Sequence, residues 1–185
     1  MNPPSLNRLV RSELSRSTSA ASSSTTQKSI TTRRLVSEAK DLLRSPIAGV
    51  EAVPRDDDVL VWTVVIEGPA GSLYEGGTFF LELNFTENYP FQAPKTIARF
   101  TKATFLTRIY HCNIDTSGRM NLGLGAANWN PCFTVTDFLN AIVALLRQCD
   151  PQNAILKELA QQYVEQPAEY ERVAREWTRR YAHYE

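Results

Sequence analysis

Apolar residues recur with a helical period near both ends of the chain and alternate with polar residues in its middle. At residues 32–44 they fall every three or four positions and Pro46 follows, which predicts a helix that ends before this proline. Residues 59–66 and 78–85 are rich in β-branched and aromatic side chains, which predicts two strands. A Gly-Pro-Ala-Gly-Ser turn at residues 68–72 joins them, so we expect an antiparallel pair.

The second half of the chain passes from one further strand, through a long irregular stretch, to helices. Residues 96–100 predict the strand, and residues 109–130 show no sustained period, which is typical of a segment that carries a site. Three helices are predicted after it: a core helix that begins at Thr134 with Asp137, one over about residues 152–163, and one that begins at Pro167. An antiparallel sheet with helices placed before and after it along the chain indicates an α+β fold.

The composition is that of one folded domain with an extension before it. The 185 residues are 43% hydrophobic and 22% charged, which suits a single domain with a real core. Residues 17–32 are almost entirely Ser, Thr and Ala, with too few large apolar groups to offset the entropy lost on ordering. We therefore interpret residues 1–31 as a disordered, Ser/Thr-rich basic extension and residues 32–185 as the core domain.

Charge, cysteine usage and motif content argue against several classes of function. Residues 1–31 carry a net charge of +3 and the remainder −3, so we expect no nucleic-acid surface. No apolar run reaches the roughly 20 residues of a membrane span. Three cysteines without paired spacing favour reduced thiols in the cytoplasm or nucleus. Two scattered histidines, and glycines without the ending of a phosphate loop, predict no metal site and no cofactor.

The basic extension leaves a second cellular location, the mitochondrion, open. Leu6, Leu9, Val10 and Leu14 recur at helical spacing beside three arginines, which is similar to a mitochondrial presequence. A solvated tail with a transient helix is the interpretation that we favour, because such patterns often arise by chance.

The irregular stretch carries a dense set of recognisable motifs. They are His111-Cys112-Asn113-Ile114, Gly118, Met120-Asn121-Leu122 and Trp129-Asn130-Pro131. Elsewhere the chain has, in order, Trp62, Gly68-Pro69, Tyr74-Glu75-Gly76-Gly77, Tyr89-Pro90-Phe91 and Glu176-Trp177-Thr178. Together these motifs resemble the ubiquitin-conjugating enzyme (UBC) family over residues 32–185. The resemblance implies an N-terminal helix, a four-stranded antiparallel meander and three C-terminal helices, and the His-Cys-Asn motif is most similar to the subgroup with Ser-rich N-terminal tails.

One position departs from the chemistry that this resemblance implies. The family's thioester cysteine lies eight residues after the asparagine of its His-Pro-Asn motif and eight before the tryptophan, and both counts reach Asn121. A carboxamide is neither a nucleophile nor a leaving group like a thiolate, so we expect no ubiquitin thioester. The resemblance implies that Asn113, beside His111, holds the loop or stabilises an oxyanion. It also places Asn153 where many members have an acidic residue that orients the incoming lysine, and the Gly-Leu-Gly at residues 123–125 where they have Asp and large aliphatic residues.

The binding surfaces that the resemblance implies do not require the thiol. A RING-type ubiquitin ligase would contact Arg33 and Arg34, Phe91, and Pro131 with Cys132. The activating enzyme would dock at the same two arginines, and ubiquitin is a further possible partner. The plain alternatives are solvated helix charges, a half-buried aromatic residue and a loop-stiffening proline.

Three functional hypotheses remain open from the sequence. The first is a non-catalytic variant that binds ligases or other ubiquitin machinery. The second is an active conjugating enzyme that uses Cys112 or Cys132 as a relocated nucleophile, or in which position 121 has been engineered. The third is a structural interaction module unrelated to ubiquitin, which would be mitochondrial if the basic tail is an import signal.

Overall fold

The structure of the protein is a computed structural model, which describes residues 23–91, 101–122 and 130–183. A helix precedes a sheet, and helices follow it. The elements in chain order are α1 (Ser23–Arg44), β1 (Val50–Pro54), β2 (Val61–Glu67), β3 (Thr78–Phe85), β4 (Thr101–Phe105), α2 (Val135–Arg147), a 3₁₀ turn (Pro151–Asn153), α3 (Lys157–Glu165) and α4 (Pro167–Tyr181). The α+β prediction, with its N-terminal helix, antiparallel sheet and C-terminal helices, is confirmed.

The four strands form an antiparallel meander in the order β1-β2-β3-β4. Trp62 in β2 pairs with Leu83 in β3, and Val64 pairs with Leu81. These four side chains have no exposed surface. One face of the sheet is therefore buried, as the alternating pattern predicts.

One strand was not predicted from the sequence, and one predicted strand lies outside the described residues. β1 was not predicted from its residues, because it is only five residues long and ends at Pro54. It nevertheless pairs along its whole length with β2, from Val50 opposite Ile66 to Pro54 opposite Trp62. The strand predicted at residues 96–100 lies outside the described residues. The last described strand, β4, occupies Thr101–Phe105 and pairs with β3.

Helix α1 begins earlier than predicted. We predicted its start at Thr32, whereas the helix begins at Ser23. Thr31 is fully buried, and its Oγ1 lies 2.7 Å from the backbone oxygen of Glu87 and 2.8 Å from that of Tyr89. Tertiary contacts thus support a Ser/Thr-rich turn of low intrinsic helix propensity. The division of the chain at residue 31 stays a prediction.

The C-terminal helices match the prediction except in the second one. Thr134 accepts a hydrogen bond from the backbone of Asp137, whose carboxylate accepts one from the backbone of Thr134, so the predicted capping box is present. α4 begins at Pro167, as predicted. The helix predicted at residues 152–163 is wrong in its start, because the 3₁₀ turn capped by Asp150 precedes α3. No helix in the described part of the chain is both long and apolar enough to cross a membrane.

Candidate functional site

The segment between β4 and α2 is folded by backbone bridges rather than by regular structure. Ile114 bridges both His111 and Met120, and the backbone N–H of Asn121 donates to the backbone oxygen of Asn113 at 2.9 Å. The turn between them closes at Gly118, which has a φ of 78°. The segment that contains Asn113 and the segment that contains Asn121 therefore lie side by side.

The side chain of Asn113 is bound to the backbone of Asp150. Its Nδ2 donates to the Asp150 oxygen at 2.7 Å, and its Oδ1 accepts from the Asp150 nitrogen at 3.0 Å. Asn113 has no exposed surface. In this structure the carboxamide joins the loop after α2 to the bridged segment.

Asn121 and Asn153 are brought together across the same surface. Nδ2 of Asn121 donates to the backbone oxygen of Asn153 at 2.9 Å, while Nδ2 of Asn153 donates to the carboxylate of Asp150 at 2.7 Å. Asn121 is partly exposed and Asn153 is exposed. Three of the predicted site residues, Asn113, Asn121 and Asn153, thus converge on one loop. The Gly-Leu-Gly at residues 123–125 and Trp129 lie outside the described residues.

His111 is buried behind this surface, and its ring is held by two backbone groups. The Asn113 N–H donates to Nδ1 at 3.0 Å, so Nδ1 carries a lone pair and Nε2 carries the proton. Nε2 lies 3.0 Å from the backbone oxygen of Leu145, to which it donates. The ring also stacks on Tyr74, at 5.7 Å between centroids. This neutral imidazole has no exposed surface and fixes the end of α2 to the bridged segment.

The sequence prediction missed a buried group formed by His111 with Cys112 and Cys149. Their nitrogen and sulfur atoms lie within 4.8 Å of one another, and Tyr170 reaches the same group with its hydroxyl 3.3 Å from the Cys149 Sγ. The separation of 38 positions between His111 and Cys149 hid this group from spacing arguments. Because the hydrogen bonds of His111 leave neither nitrogen with a free lone pair for an ion, the arrangement does not favour metal binding.

The hydrogen bonds of this group separate the two thiols in acidity. The hydrogen bond to Cys149, together with burial, raises the pKa of the Cys112 thiol well above its ordinary value. That bond, and the hydrogen bonds from His111 and Tyr170, lower the pKa of Cys149 against the opposing effect of burial. Both thiols are buried, whereas Cys132 is exposed. Nucleophilic attack requires an exposed thiol, and of these three cysteines only Cys132 is exposed.

The residues predicted to bind partners are at the surface. Arg33, Pro131 and Cys132 are exposed, Arg34 is partly exposed, and 60% of Phe91 is accessible to solvent. The large exposed ring of Phe91 beside Pro90 is the kind of side chain that anchors interfaces.

Glu38 joins these pieces and was not predicted as a site residue. Its carboxylate contacts Arg34 in α1, the hydroxyl of Tyr89, and the first backbone N–H of α2 at Val135. Only 5% of Glu38 is exposed. Its spacing of three from Leu35 and four from Leu42 places a carboxylate in the apolar stripe of α1, which is the signal that could have identified it.

Comparison with protein-family models agrees with this fold. The model described as ubiquitin-conjugating enzyme matches residues 34–178, which is well over half of the chain and includes every element from β1 to α3.

Proposed function

The chain belongs to the ubiquitin-conjugating enzyme family, and we propose that it is a member that docks ligases without carrying ubiquitin as a thioester. The observation that carries this proposal is the position of Asn121. Its backbone is bridged to Asn113 and its carboxamide is bonded to Asn153. We infer that this residue occupies the place of the family's cysteine.

The chemistry of a carboxamide supports the loss of acyl transfer. Its nitrogen lone pair is delocalised into the carbonyl group, so the carboxamide of Asn121 is a poor nucleophile. Asn113 contacts its backbone and Asn153 contacts its side chain, and both of these residues bond to Asp150 through their own amides. We propose that Asn113 and His111 keep the family's local architecture, and that Asn153 shapes the rim of the site.

Cys132 supports a second candidate function, an active conjugating enzyme with a relocated nucleophile. It is exposed in the loop before α2, and its backbone N–H is held by Oδ1 of Asn130 at 2.9 Å. Cys112 is a poorer candidate, because its thiol is buried and has a raised pKa. We rank this function second, because the family's motif spacing places its nucleophile at position 121 and not at Cys132.

Ligase docking is supported by three exposed pieces on connected elements. Arg33 and Arg34 lie on α1, Phe91 follows the Tyr89-Pro90 pair, and Pro131 with Cys132 precedes the cap of α2. A RING-type ligase is the proposed partner, with the activating enzyme and ubiquitin as further candidates. An exposed aromatic anchor flanked by a cationic helix face suits a protein partner that carries apolar and acidic groups.

A charging assay tests the proposal. The chain is incubated with activating enzyme, ATP and ubiquitin, and is then run on a non-reducing gel beside a charged conjugating enzyme as positive control. We expect no reductant-sensitive adduct. An adduct that disappears in Cys132→Ser would establish the second candidate, and one that disappears in Cys112→Ser would show that the buried thiol becomes accessible.

Binding and location need separate experiments. A panel of isolated RING domains, measured by calorimetry, tests docking, and Phe91→Ala should weaken any interaction that is found. Residence in the cytoplasm or nucleus belongs to the same proposal. A reporter fused to residues 1–31 tests it, because mitochondrial fluorescence would instead favour the import signal.

A further inference from the structure

The side chain of Glu38 is a buried carboxylate with partners on three separate segments. Only 6% of its side chain is accessible, and it accepts from the Arg34 guanidinium one helical turn away. The hydroxyl of Tyr89 lies 3.0 Å from Oε1 and 3.1 Å from Oε2, and the N–H of Val135 lies 2.6 Å from Oε2. A buried carboxylate without such partners would be strongly unfavourable, so these segments cannot separate independently.

Each partner of Glu38 belongs to, or adjoins, one of the three pieces proposed to contact a ligase. Arg34 is itself one of those residues. Tyr89 is two positions before the exposed Phe91, whose backbone N–H donates to Asn88 at 2.8 Å. Val135 is the first residue of α2, immediately after the loop of Pro131 and Cys132.

Further contacts tie the same segments together. The hydroxyl of Tyr89 lies 3.4 Å from the backbone oxygen of Phe133, so it reaches the loop before α2 as well as Glu38. On the other side, the buried hydroxyl of Thr31 lies against the backbone oxygens of Glu87 and Tyr89. α1 is therefore fixed to the Phe91 loop at two points, through Thr31 before Arg34 in the sequence and through Glu38 after it.

The charge of Glu38 suits its location. The positive end of the α2 dipole and the Arg34 guanidinium both favour a carboxylate at this place. The hydrogen bond to Glu38 raises the pKa of Arg34, and burial, with the adjacent Glu38 charge, raises the pKa of Tyr89. Arg34 is thus held as a cation and Tyr89 as a neutral donor.

We propose that Glu38 is a positioning residue that holds Arg34, the Phe91 loop and the Pro131-Cys132 loop as one rigid ligase-binding surface. Glu38 is buried and would not touch the ligase. Its effect on binding would come from presenting the exposed pieces in a fixed arrangement, which lowers the entropy lost on docking. This inference rests on the proposed docking function.

The test is a double-mutant cycle on the affinity for a RING domain that binds the wild-type chain, taken from the panel above. Glu38→Gln keeps the size of the side chain but directs an N–H at one of its donors. Phe91→Ala removes the proposed anchor. We expect Glu38→Gln to weaken binding about tenfold, and to have much less effect when Phe91 is already Ala, because it acts through the placement of that ring.

A second variant covers the case in which Glu38→Gln fails to fold. Tyr89→Phe removes the hydroxyl from Glu38 and Phe133 and leaves the carboxylate in place. Tyr110→Phe is the matched control, since its hydroxyl bonds Gln162 on α3 at 2.5 Å. We expect Tyr89→Phe to weaken binding, with less effect in the Phe91→Ala background, and Tyr110→Phe to bind like wild type.

The possible failures are distinguishable. If the wild-type chain binds no RING domain of the panel, the docking function is refuted, and this inference with it. If wild type binds and Glu38→Gln or Tyr89→Phe binds equally well, only the positioning role is refuted. Losses that simply add to that of Phe91→Ala would also refute it, because a general loss of stability acts without coupling to one ring.

Discussion

Asn121 donates its side-chain hydrogen bond to the backbone oxygen of Asn153 at 2.9 Å, which joins residues 32 positions apart. The proposed reactive position is thereby tied to the loop after α2. A cysteine there could not make this bond with an amide's geometry or strength, because S–H is a weak donor. The asparagine accordingly contributes a structural contact in addition to lacking sulfur.

Removing this amide should lower stability modestly. Asn121→Ala is expected to reduce the free energy of unfolding by about 1 kcal/mol, since the Asn153 oxygen loses a partner at a partly exposed site. Urea unfolding followed by tryptophan fluorescence measures it. Asn153→Ala is the control background, because it keeps the backbone oxygen that accepts the bond. We expect Asn121→Ala to lower the free energy of unfolding equally in this background and in wild type. An unchanged free energy of unfolding in both backgrounds would contradict the contact.

Restoring sulfur should restore charging. We expect Asn121→Cys to form a reductant-sensitive ubiquitin adduct, because the backbone bond from residue 121 to Asn113 does not depend on the side chain. Asn121→Ser, which could give only a reductant-resistant ester, is the matched control. If Asn121→Cys forms no ubiquitin adduct, the loss of thioester formation would lie in other departures from the family, such as the Gly-Leu-Gly at residues 123–125.

The three cysteines should differ sharply in reactivity. N-ethylmaleimide at pH 7 is expected to modify Cys132 first, while Cys112 and Cys149 react only after denaturation, because both are buried. The raised pKa of Cys112 further suppresses its thiolate. Peptide mapping by mass spectrometry identifies the sites, with Cys132→Ser as control. Native modification of Cys112 at the rate of Cys132 would contradict the burial described here.

Gly118 should tolerate no side chain. A Cβ at this position would lie 2.0 Å from the backbone oxygen of Phe105, at a φ of 78°. We expect Gly118→Ala to destabilise the protein by about 3 kcal/mol or more. Gly71→Ala is the matched control, because Gly71 has a φ of 77° and no atom within 4 Å of the place that a methyl group would occupy, so about 1 kcal/mol is expected there. Equal thermal shifts for the two variants would contradict the close approach.

Asp115 should make stability depend on pH. Burial raises its pKa, but hydrogen bonds from Ser117 and Arg119 outweigh this, and the pKa lies below its ordinary value. A carboxyl with a lowered folded-state pKa stabilises the protein above the unfolded pKa of about 4, and this contribution is lost as the pH falls through the folded value. Asp115→Asn should therefore be less stable than wild type at pH 7, and urea unfolding should show this difference shrinking as the pH falls below about 4. Exposed Asp56→Asn is the control, and a deficit at Asp115 that is constant with pH would contradict the prediction.

The fold could be predicted largely from local patterns, whereas parts of the site could not. The alternating residues of β3 and the Thr134–Asp137 capping box specify their structure within a few positions. The start of α1 could not be predicted locally, because its Ser/Thr-rich turn depends on Thr31 meeting Glu87 and Tyr89. Local pattern fails where a distant segment supplies the stabilising contact.

The site likewise combines features that the local sequence predicts with contacts that only distant segments supply. Motif spacing predicted Asn113 and Asn121 as site residues, but it did not show that the Asn113 amide is bound to Asp150, 37 positions away. The meeting of His111 with Cys149 and the convergence on Glu38 likewise depend on packing between helices and loops. Such contacts leave only a weak trace in the sequence, such as a carboxylate within an apolar helical stripe.

The length of α1 has a mechanical consequence. The helix continues for eight residues before Thr31, which is about 12 Å at 1.5 Å per residue. Ser23 thus lies at the far end of a helical rod that is anchored near the Phe91 loop, at a defined distance and direction from that loop. Inserting four residues into this helix would nearly preserve the direction around the helix axis in which an attached group points. Inserting two residues would turn that group to the opposite side of the helix.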